Sequence, residues 1–488
     1  MQTDFARQRG CVNLTAMICS FISPTRLMAR VFPIALLILG ACTANEAVDD
    51  PVASVPSDVR KVTVLNLNKI SKANGAPILA STGQMNPDAT ESAGMFIPAS
   101  LMKPLDAVIT AAPGASDTSR VVMFTTRKGY TGLILKVNDP ETVEQTLSRQ
   151  LQPAEEIEDC ETYTTGRGII ALWGNICVIA PDAATVKEIT DSRSPQWRIS
   201  KMEGVRQFLS TDNAILTALP AENLYGDKMK GEWMCVAVRF NDTSAIADIM
   251  FMHPDGKLDS IGSRIAGRID PDILRFIPQN ANIAAATGVQ GADGKAFGLE
   301  QLMSKYYPGK LRLSETGTTA WYGRCFSDPG EDDLFSAASW NLASLTQMDA
   351  VRADSVTQTI ETYYGTSGTS QGDSPMRTID IDNLSLSFGY IGGYYAESLN
   401  GPVTDGNSNP YTQDFQGAHM VVLVDVPQGS ALQRAAMLPC GASFAMRLTS
   451  TRLHAKLTFY GNQKPFLATL NSIDLLRPLL PYLINAGN

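Results

Sequence analysis

Val-Pro-Ser-Asp at residues 55–58 recurs as Ile-Pro-Gln-Asn at residues 277–280, and this repeated opening decides the interpretation of the fold. Each copy leads into an apolar segment with the composition of a β-strand, residues 61–67 in the first copy and 283–289 in the second. Self-similarity that keeps its order along a chain is the signature of a repeated architecture. The sequence therefore predicts two copies of one structural unit.

A second pair of matching words lies further along each copy. Val-Glu-Gln-Thr-Leu at residues 143–147 recurs as Val-Thr-Gln-Thr-Ile at residues 356–360, and both words lie in segments with helical spacing of apolar residues. Asp139 and Pro140 supply an N-cap and a first helical residue for the first of these helices. The order of the matches supports a duplication, although words this short also recur by chance.

Apolar, strand-like segments follow each of the two helices. They lie at residues 167–173, 176–180, 233–240 and 245–252 in the first copy, and at 384–390, 393–397, 418–426 and 444–459 in the second. Runs of strands interrupted by a few helices are typical of antiparallel sheets with helices packed on one face. The predicted fold class is α+β, with one repeat over residues 55–270 and a similar repeat over residues 271–488.

An apolar segment near the N-terminus predicts a targeting signal. Residues 31–39 have about half the length of the roughly 20 residues that a spanning helix needs, and the basic Arg26 and Arg30 precede them. Gly-Ala-Cys at residues 40–42 resembles the processing site of bacterial lipoproteins, in which the cysteine is acylated and the peptide bond before it is cut. We expect removal of residues 1–41 and a lipid on Cys42. An ordinary secretory signal with an incidental cysteine is the alternative.

Three further expectations follow from this processing site. Met28 opens a compact basic region and is a candidate for the true start of the protein. Thr43 stands where a retention signal would place Asp, so the sorting rule of Gram-negative lipoproteins predicts an outer-membrane location in the cell envelope. Residues 42–54 are predicted to form a flexible tether to the membrane.

Composition limits the possible partners. The chain has 488 residues and a formal net charge of −9, with no cluster of Lys and Arg, which argues against binding to nucleic acid. No apolar stretch after Cys42 approaches the length of a spanning helix. The other cysteines of the processed chain are Cys160, Cys177, Cys235, Cys325 and Cys440. This odd number cannot pair completely, and a chain of this size does not need disulfides for its stability.

Ser100 and Lys103 form a Ser-x-x-Lys pattern, which in penicillin-binding proteins places a lysine beside a serine nucleophile. Those enzymes also carry Lys-Thr-Gly or Lys-Ser-Gly on a strand, whereas this chain offers only Lys-Gly-Tyr at residues 128–130, and Ser-Trp-Asn at 339–341 is a poor substitute for their middle motif. Pro104 disfavours helical geometry at Lys103. A serine acyl-transfer enzyme is therefore the alternative function, and a capped helix start is the simpler interpretation of Ser100.

No metal or cofactor site is predicted. The histidines, His253, His419 and His454, are distant from one another in the sequence and are interpreted as structural residues. Residues 328–333 and 405–409 are rich in oxygen ligands, but the second segment lacks the turn glycine and the terminal acid of a calcium loop. We expect no metal, no cofactor and no catalytic residue.

Five tyrosines are the candidate ligand-binding residues. They flank the Gly/Ser-rich residues 365–375 or the Gly-Gly at 392–393, and they are Tyr363, Tyr364, Tyr390, Tyr394 and Tyr395. Aromatic rings beside a mobile loop can stack on a sugar or dock a peptide. Core packing on a sheet face is the competing interpretation, because tyrosine suits half-buried strands.

The site at Cys42, the words at 55–58 and 277–280, and a final Asn-Ser-Ile-Asp-Leu-Leu at 471–476 together resemble a family of cell-envelope lipoproteins of gut Gram-negative bacteria. The resemblance implies a duplicated α+β fold on a lipid anchor, without an established activity or catalytic residues. The predicted function is a non-enzymatic role at the envelope: binding of a glycan, a peptide or an envelope protein through a sheet face or the loops near residues 365–416, or a purely structural role.

Overall fold

The computed structural model describes residues 50–55, 59–75, 97–111, 114–157, 160–191, 199, 202–225, 230–260, 262–263, 266–290, 316–326, 337–370, 375–381, 384–406, 415–435, 438 and 440–461. They divide into two compact units, residues 50–259 and residues 260–461. Cys42, the predicted signal and the 471–476 segment lie outside the described residues. Each unit consists mainly of antiparallel strands with a smaller number of helices, as the α+β prediction requires.

The first unit is built on one antiparallel sheet. Its strands are β1 (Val59–Leu65), β2 (Val121–Thr126), β3 (Thr131–Lys136), β4 (Gln152–Pro153), β5 (Glu161–Thr164), β6 (Ile169–Trp173), β7 (Ile176–Ala180), β8 (Ile215–Pro220), β9 (Trp233–Phe240) and β10 (Ser244–Met252). Its helices are α1 (Leu67–Asn74), α2 (Ala99–Ala111), α3 (Pro140–Gln150), α4 (Ala183–Asp191), α5 (Glu203–Leu209) and α6 (Glu222–Tyr225). The strand order is β10-β9-β8-β1-β2-β3-β7-β6-β5-β4.

The second unit has a sheet of the same kind. Its strands are β11 (Ile283–Gln290), β12 (Thr316–Cys325), β13 (Trp340–Gln347), β14 (Thr369–Ser370), β15 (Met376–Ile381), β16 (Leu384–Ile391), β17 (Tyr394–Leu399), β18 (Met420–Val426), β19 (Ala442–Leu448) and β20 (Arg452–Phe459). Its helices are α7 (Ala350–Tyr364) and α8 (Ala431–Ala435), with 3₁₀ helices at Pro271–Phe276 and Ala337–Ser339. The strand order is β20-β19-β18-β11-β12-β13-β17-β16-β15-β14, again antiparallel throughout.

Both predicted helices are present, and both begin at an aspartate. The Asp139 side chain accepts a hydrogen bond from the Thr142 amide at 3.1 Å, and Pro140 is the first residue of α3. The Asp349 side chain accepts one from the Arg352 amide at 2.9 Å, and α7 ends at Gly365 in the left-handed conformation, with φ 66°. These caps satisfy backbone groups that a helix end otherwise leaves unpaired.

The first unit begins before the predicted end of the tether. Val52, Ala53 and Val55 are buried, and the Val52 amide donates to Asp50 Oδ1 at 3.0 Å. Residues 51–54 are therefore held by packing and belong to the unit, although the sequence assigned them to a flexible tether over 42–54. The units divide between residues 259 and 260, ahead of the predicted boundary at 270.

The core of the second unit covers one face of its sheet. It combines apolar side chains of β11, β12, β13, β17 and β18 with Ile273, Leu274 and Phe276 of the 3₁₀ helix Pro271–Phe276. Because side chains alternate between the two faces of a strand, each strand contributes every second residue to this core. The core-facing positions beyond the last apolar residue of each strand lie at the strand ends, where the candidate site is found.

Neither a membrane span nor a disulfide is found among the described residues. No helix of that part of the chain is long and apolar enough to cross a membrane. None of the five cysteines that follow Cys42 forms a disulfide within the described residues. Burial raises the pKa of Cys177 and of Cys235, so both thiols stay protonated and behave as small apolar side chains.

Candidate functional site

A pocket of about 530 Å³ opens at one end of the second sheet. Four neighbouring strands meet there: β11 begins, β12 ends, β13 begins and β17 ends. The pocket is lined by Pro278, Gln279, Asn280, Tyr322, Arg324, Phe326, Asn341, Asn400, Gly401, Pro402 and Thr404. Its size lies within the range of small-molecule sites in proteins.

The pocket lies on the same face of the sheet as the core, at the strand ends where polar residues replace apolar ones. Tyr322 belongs both to the core and to the pocket wall, and Arg324 lies two residues further along β12 on the same face. Asn341 stands in the same relation to Ala343 on β13. The core-facing positions of these strands thus change from apolar to polar at the sheet end, which creates a recess rich in hydrogen-bonding groups.

Arg324 and Asn341 are direct cross-strand partners in the β12–β13 ladder. The Asn341 side-chain amide donates to the carbonyl oxygens of Leu399 at 2.9 Å and Gly401 at 3.1 Å. Both N–H groups of this amide are therefore used to hold the chain that leaves β17. The Asn341 side chain can offer a ligand only its Oδ1 acceptor.

Asn400 fixes the turn at the end of β17. It has φ 57°, and its side-chain amide donates to the Trp340 carbonyl at 2.9 Å. Asparagine tolerates this left-handed conformation better than most residues because its short polar side chain forms local hydrogen bonds. The turn directs residues 401–404 along the pocket rim.

Asn280 holds the guanidinium of Arg324. With the amide oxygen oriented toward Arg324, it accepts hydrogen bonds from Nε and from Nη2, both at 3.1 Å. This contact links the segment before β11 to the end of β12. It also leaves the outer edge of the guanidinium, with Nη1 and one hydrogen of Nη2, for another acceptor.

Two aromatic rings form the apolar part of the wall. Phe326 is 38% exposed, so part of its ring is accessible at the pocket wall. Tyr322 is buried, and burial raises its pKa to about 12, so the phenol stays protonated at neutral pH. The pocket therefore combines one exposed ring face with amide and guanidinium groups.

An ion pair fixes the two rims of the pocket. Arg275, from the 3₁₀ helix before the 278–280 segment, donates Nε to Asp405 Oδ1 at 2.6 Å and Nη2 to Asp405 Oδ2. Asp405 follows the 401–404 rim. Arg275 holds the pKa of Asp405 below its usual range, and hydrogen bonding to Asp405 raises the pKa of Arg275. Both groups remain charged at neutral pH.

The predicted tyrosine cluster is divided between different environments. Tyr394 is buried in the core, with its hydroxyl donating to Asp270 Oδ2 at 2.8 Å and its ring 5.4 Å from that of Phe276. Tyr395 is buried as well, while Tyr390 pairs with it across β16 and β17 and is half-buried. The rings of Tyr394 and Tyr395 therefore present no free face to a ligand.

The other two tyrosines lie at the end of α7. Tyr363 is 57% exposed, and its ring packs edge-on against that of Tyr364, with 5.1 Å between centroids. None of the five tyrosines lines the pocket at the sheet end. Core packing, the competing interpretation, accounts for Tyr394 and Tyr395.

Ser100 and Lys103 lie near the start of α2, and both are exposed. The helix continues through Pro104, contrary to the expectation that proline would break helical geometry there. Pro104 is buried with Leu105, and a Cβ at Gly168 would lie 3.0 Å from its ring. Close packing of this turn on Gly168 compensates for the loss of the backbone hydrogen bond that proline, which has no N–H, cannot make.

His454 lies on β20 opposite Arg447, and the other two histidines have structural contacts. His419 is buried, with Nδ1 2.8 Å from the Ala266 carbonyl oxygen and Nε2 3.0 Å from Ser450 Oγ. His253 Nε2 lies 2.9 Å from Glu232 Oε1. Within the described ranges, no group of three or more His, Cys, Asp or Glu side chains could hold a metal ion.

Sequence reasoning gave three partial signals for the pocket residues, one of which is the predicted binding loop near residues 365–416 that includes Gly401, Pro402 and Thr404. The repeated word at 277–280 contains Pro278, Gln279 and Asn280, and Asn341 was considered only as part of a poor enzyme motif. Arg324 and Phe326 carried no signal of their own. Their significance depends on which strands are neighbours, which the sequence does not specify.

Comparisons of the chain with protein-family models, with curated proteins and with solved structures each returned no match.

Proposed function

We propose that this protein is a non-enzymatic binding protein that holds a small, hydroxyl-rich ligand, such as a glycan fragment, in the pocket at the end of the second sheet. One observation carries the proposal: the recess combines an exposed ring, the Asn341 Oδ1 acceptor and the remaining guanidinium donors of Arg324. A sugar presents both an apolar ring face and a circle of hydroxyl groups. Aromatic stacking with amide hydrogen bonds matches both features.

Rigidity of the pocket supports binding. Hydrogen bonds from Asn341 and Asn400, together with the Arg275–Asp405 ion pair, hold the rims in place before a ligand arrives. A site that is already ordered loses less conformational entropy when it binds. The pocket is therefore suited to capture a small molecule.

The experiment is a glycan-array screen of the full-length chain, followed by calorimetry with the best ligand. Phe326→Ala should weaken binding by about tenfold, because stacking on an aromatic ring contributes roughly 0.5–1.5 kcal/mol beyond area burial. Val351→Ala is the matched control, since Val351 is 82% exposed and lies on α7 outside the pocket. Absence of any saccharide binding, or binding that Phe326→Ala leaves unchanged, would contradict the proposal.

We also infer that the two units are copies of one ancestral unit. Raising each strand number of the first sheet order by ten gives the order of the second. Asp50 and Asp270 support the inference, because each precedes a proline and accepts a hydrogen bond from the amide two residues on, at 3.0 Å from Val52 and 3.1 Å from Asp272. The aspartate caps of α3 and α7 support it too, since each helix follows the third strand of its unit.

We also propose that a lipid on Cys42 anchors the protein to the outer membrane. Its support is the sequence at residues 31–42 alone. Mass spectrometry of the N-terminal peptide, with membrane fractionation of wild type and Cys42→Ala, tests it. Acyl mass on Cys42 and release of the variant from the membrane are the expected results, and an unmodified Cys42 in a soluble wild type would contradict the anchor.

A further inference from the structure

We propose that the ligand of this pocket carries a carboxylate beside its hydroxyl groups, as a uronic acid does, and that Arg324 binds this carboxylate. The inference rests on the proposed binding function and names its ligand class. It comes from the charge and the hydrogen-bonding capacity of the pocket wall.

The pocket has positive charge in an acidic protein. Among the described residues that line the pocket, Arg324 is the one with a charge, although the chain as a whole has a net charge of −9. Within the described ranges, Arg324 forms no ion pair, in contrast to Arg275 and Arg377, which bond Asp405 and Glu361. A guanidinium without an acidic partner in a polar recess attracts an anionic group.

The geometry of the guanidinium suits a carboxylate. Asn280 accepts from Nε and one Nη2 hydrogen, which fixes the plane of the group and leaves Nη1 and the second Nη2 hydrogen. These remaining donors form a fork of the shape that binds both oxygens of a carboxylate. Asn280 thus positions Arg324 for bidentate binding.

Next to Arg324, the pocket requires a hydrogen-bond donor from the ligand. Asn341 is the cross-strand partner of Arg324, and both of its N–H groups are used by the carbonyls of Leu399 and Gly401. Only its Oδ1 remains, and an acceptor pairs with a hydroxyl. Cross-strand partners have Cβ atoms about 5 Å apart. A carboxylate and a hydroxyl on one sugar ring can therefore meet both residues together.

The described part of the pocket wall holds a single cation, which favours a carboxylate over a phosphate. One guanidinium balances the one negative charge of a carboxylate. A phosphate monoester has a charge of about −1.5 to −2 at neutral pH, so it would remain partly unbalanced in this pocket. Phosphate is therefore the competing anion that the experiment must distinguish.

The test is calorimetry on the full-length chain with glucuronic acid, galacturonic acid, their methyl esters and glucose 6-phosphate. The methyl ester keeps the ring and the hydroxyls but removes the charge. We expect the better of the two acids to bind wild type at least about tenfold more tightly than its ester, as a hydrogen bond to a charged group implies. Arg324→Gln should abolish this preference, and Arg324→Lys should keep only part of it because the fork is lost.

Arg206→Gln is the matched control, because Arg206 is a partly exposed arginine on α5 in the first unit. It should keep the full preference for the acid. Equal binding of acid and ester would overturn the carboxylate inference and leave the binding function intact, and tightest binding of the phosphate would replace carboxylate by phosphate. No binding of any of these compounds overturns the inference, and an empty glycan array in addition overturns the proposed function.

Discussion

Asp270 forms hydrogen bonds with residues of β12, β13 and β17 in the second unit. Its Oδ2 accepts from the Tyr394 hydroxyl at 2.8 Å and from Gln347 Nε2 at 3.3 Å, and its amide donates to Thr318 Oγ1 at 2.6 Å. Burial and this hydrogen bond raise the pKa of Tyr394. The contacts fix the start of the 3₁₀ helix that leads into the pocket.

Tyr394→Phe should lower the free energy of unfolding by about 1–3 kcal/mol, because it removes a hydrogen bond to a charged group and leaves an oxygen of Asp270 with one partner fewer. Urea titration at neutral pH measures the change. Tyr363→Phe is the control, since Tyr363 is exposed at the end of α7, and it should cost less than about 0.5 kcal/mol. Equal stability of Tyr394→Phe and wild type would show that the contact contributes nothing.

The same variant should change the response to alkali. A folded-state pKa above the unfolded value of about 10 means that the folded protein keeps a proton which the unfolded chain releases. The stability that Tyr394 contributes is therefore present below pH 10 and is lost as the pH rises above it. Tyr394→Phe should lose less stability above pH 10 than wild type does.

At the scale of single residues, sequence reasoning predicted some side-chain environments but not most of the residues that line the pocket. It offered core packing as the alternative for the tyrosines, and the burial of Tyr394 agrees with that alternative. It did not single out Arg324, because an arginine in a strand is ordinary until its neighbours are known. What makes Arg324 notable is the pairing of β12 with β13, and a one-residue change of that register would turn its side chain to the other face.

Local elements follow from local sequence. The predicted segments 176–180 and 233–240 coincide with β7 and β9, and the aspartate caps mark where α3 and α7 begin. The predicted segment 444–459 is two strands, β19 and β20, because a tight turn at residues 449–451 interrupts an otherwise apolar run. The order of strands in each sheet could not be predicted, since pairing depends on contacts between residues far apart in the chain.

The cap of α7 provides a test at the scale of one element. Asp349→Ala should lower the free energy of unfolding by about 1 kcal/mol, because the amide of Arg352 loses its acceptor. Asp349→Ser should restore most of the loss, since serine also caps helices. Asp354→Ala, an exposed position inside the same helix, is the control, and a loss there as large as at Asp349 would contradict a capping role.

Each unit should fold without the other if its own sheet is sufficient for stability. We expect fragments 42–259 and 260–488, expressed alone, each to unfold cooperatively in urea, because each retains all the strands of one ten-strand order. Circular dichroism and dispersed amide resonances check the fold of each fragment. A fragment that remains unfolded would indicate that its sheet depends on the other half of the chain.

Because the strand orders match, a strand of one unit could pair in the sheet of the other unit while the chain is being synthesised. Each newly made strand of the second unit has the same neighbours by position as a strand of the first, so it can dock in the wrong sheet and trap a misfolded chain. The sequences of β1 and β11, Val-Arg-Lys-Val-Thr-Val-Leu and Ile-Ala-Ala-Ala-Thr-Gly-Val-Gln, differ greatly in side-chain volume. An exchanged strand would leave cavities in one core and overfill the other. The difference in side-chain volume between β1 and β11 therefore favours the native pairing over an exchanged one.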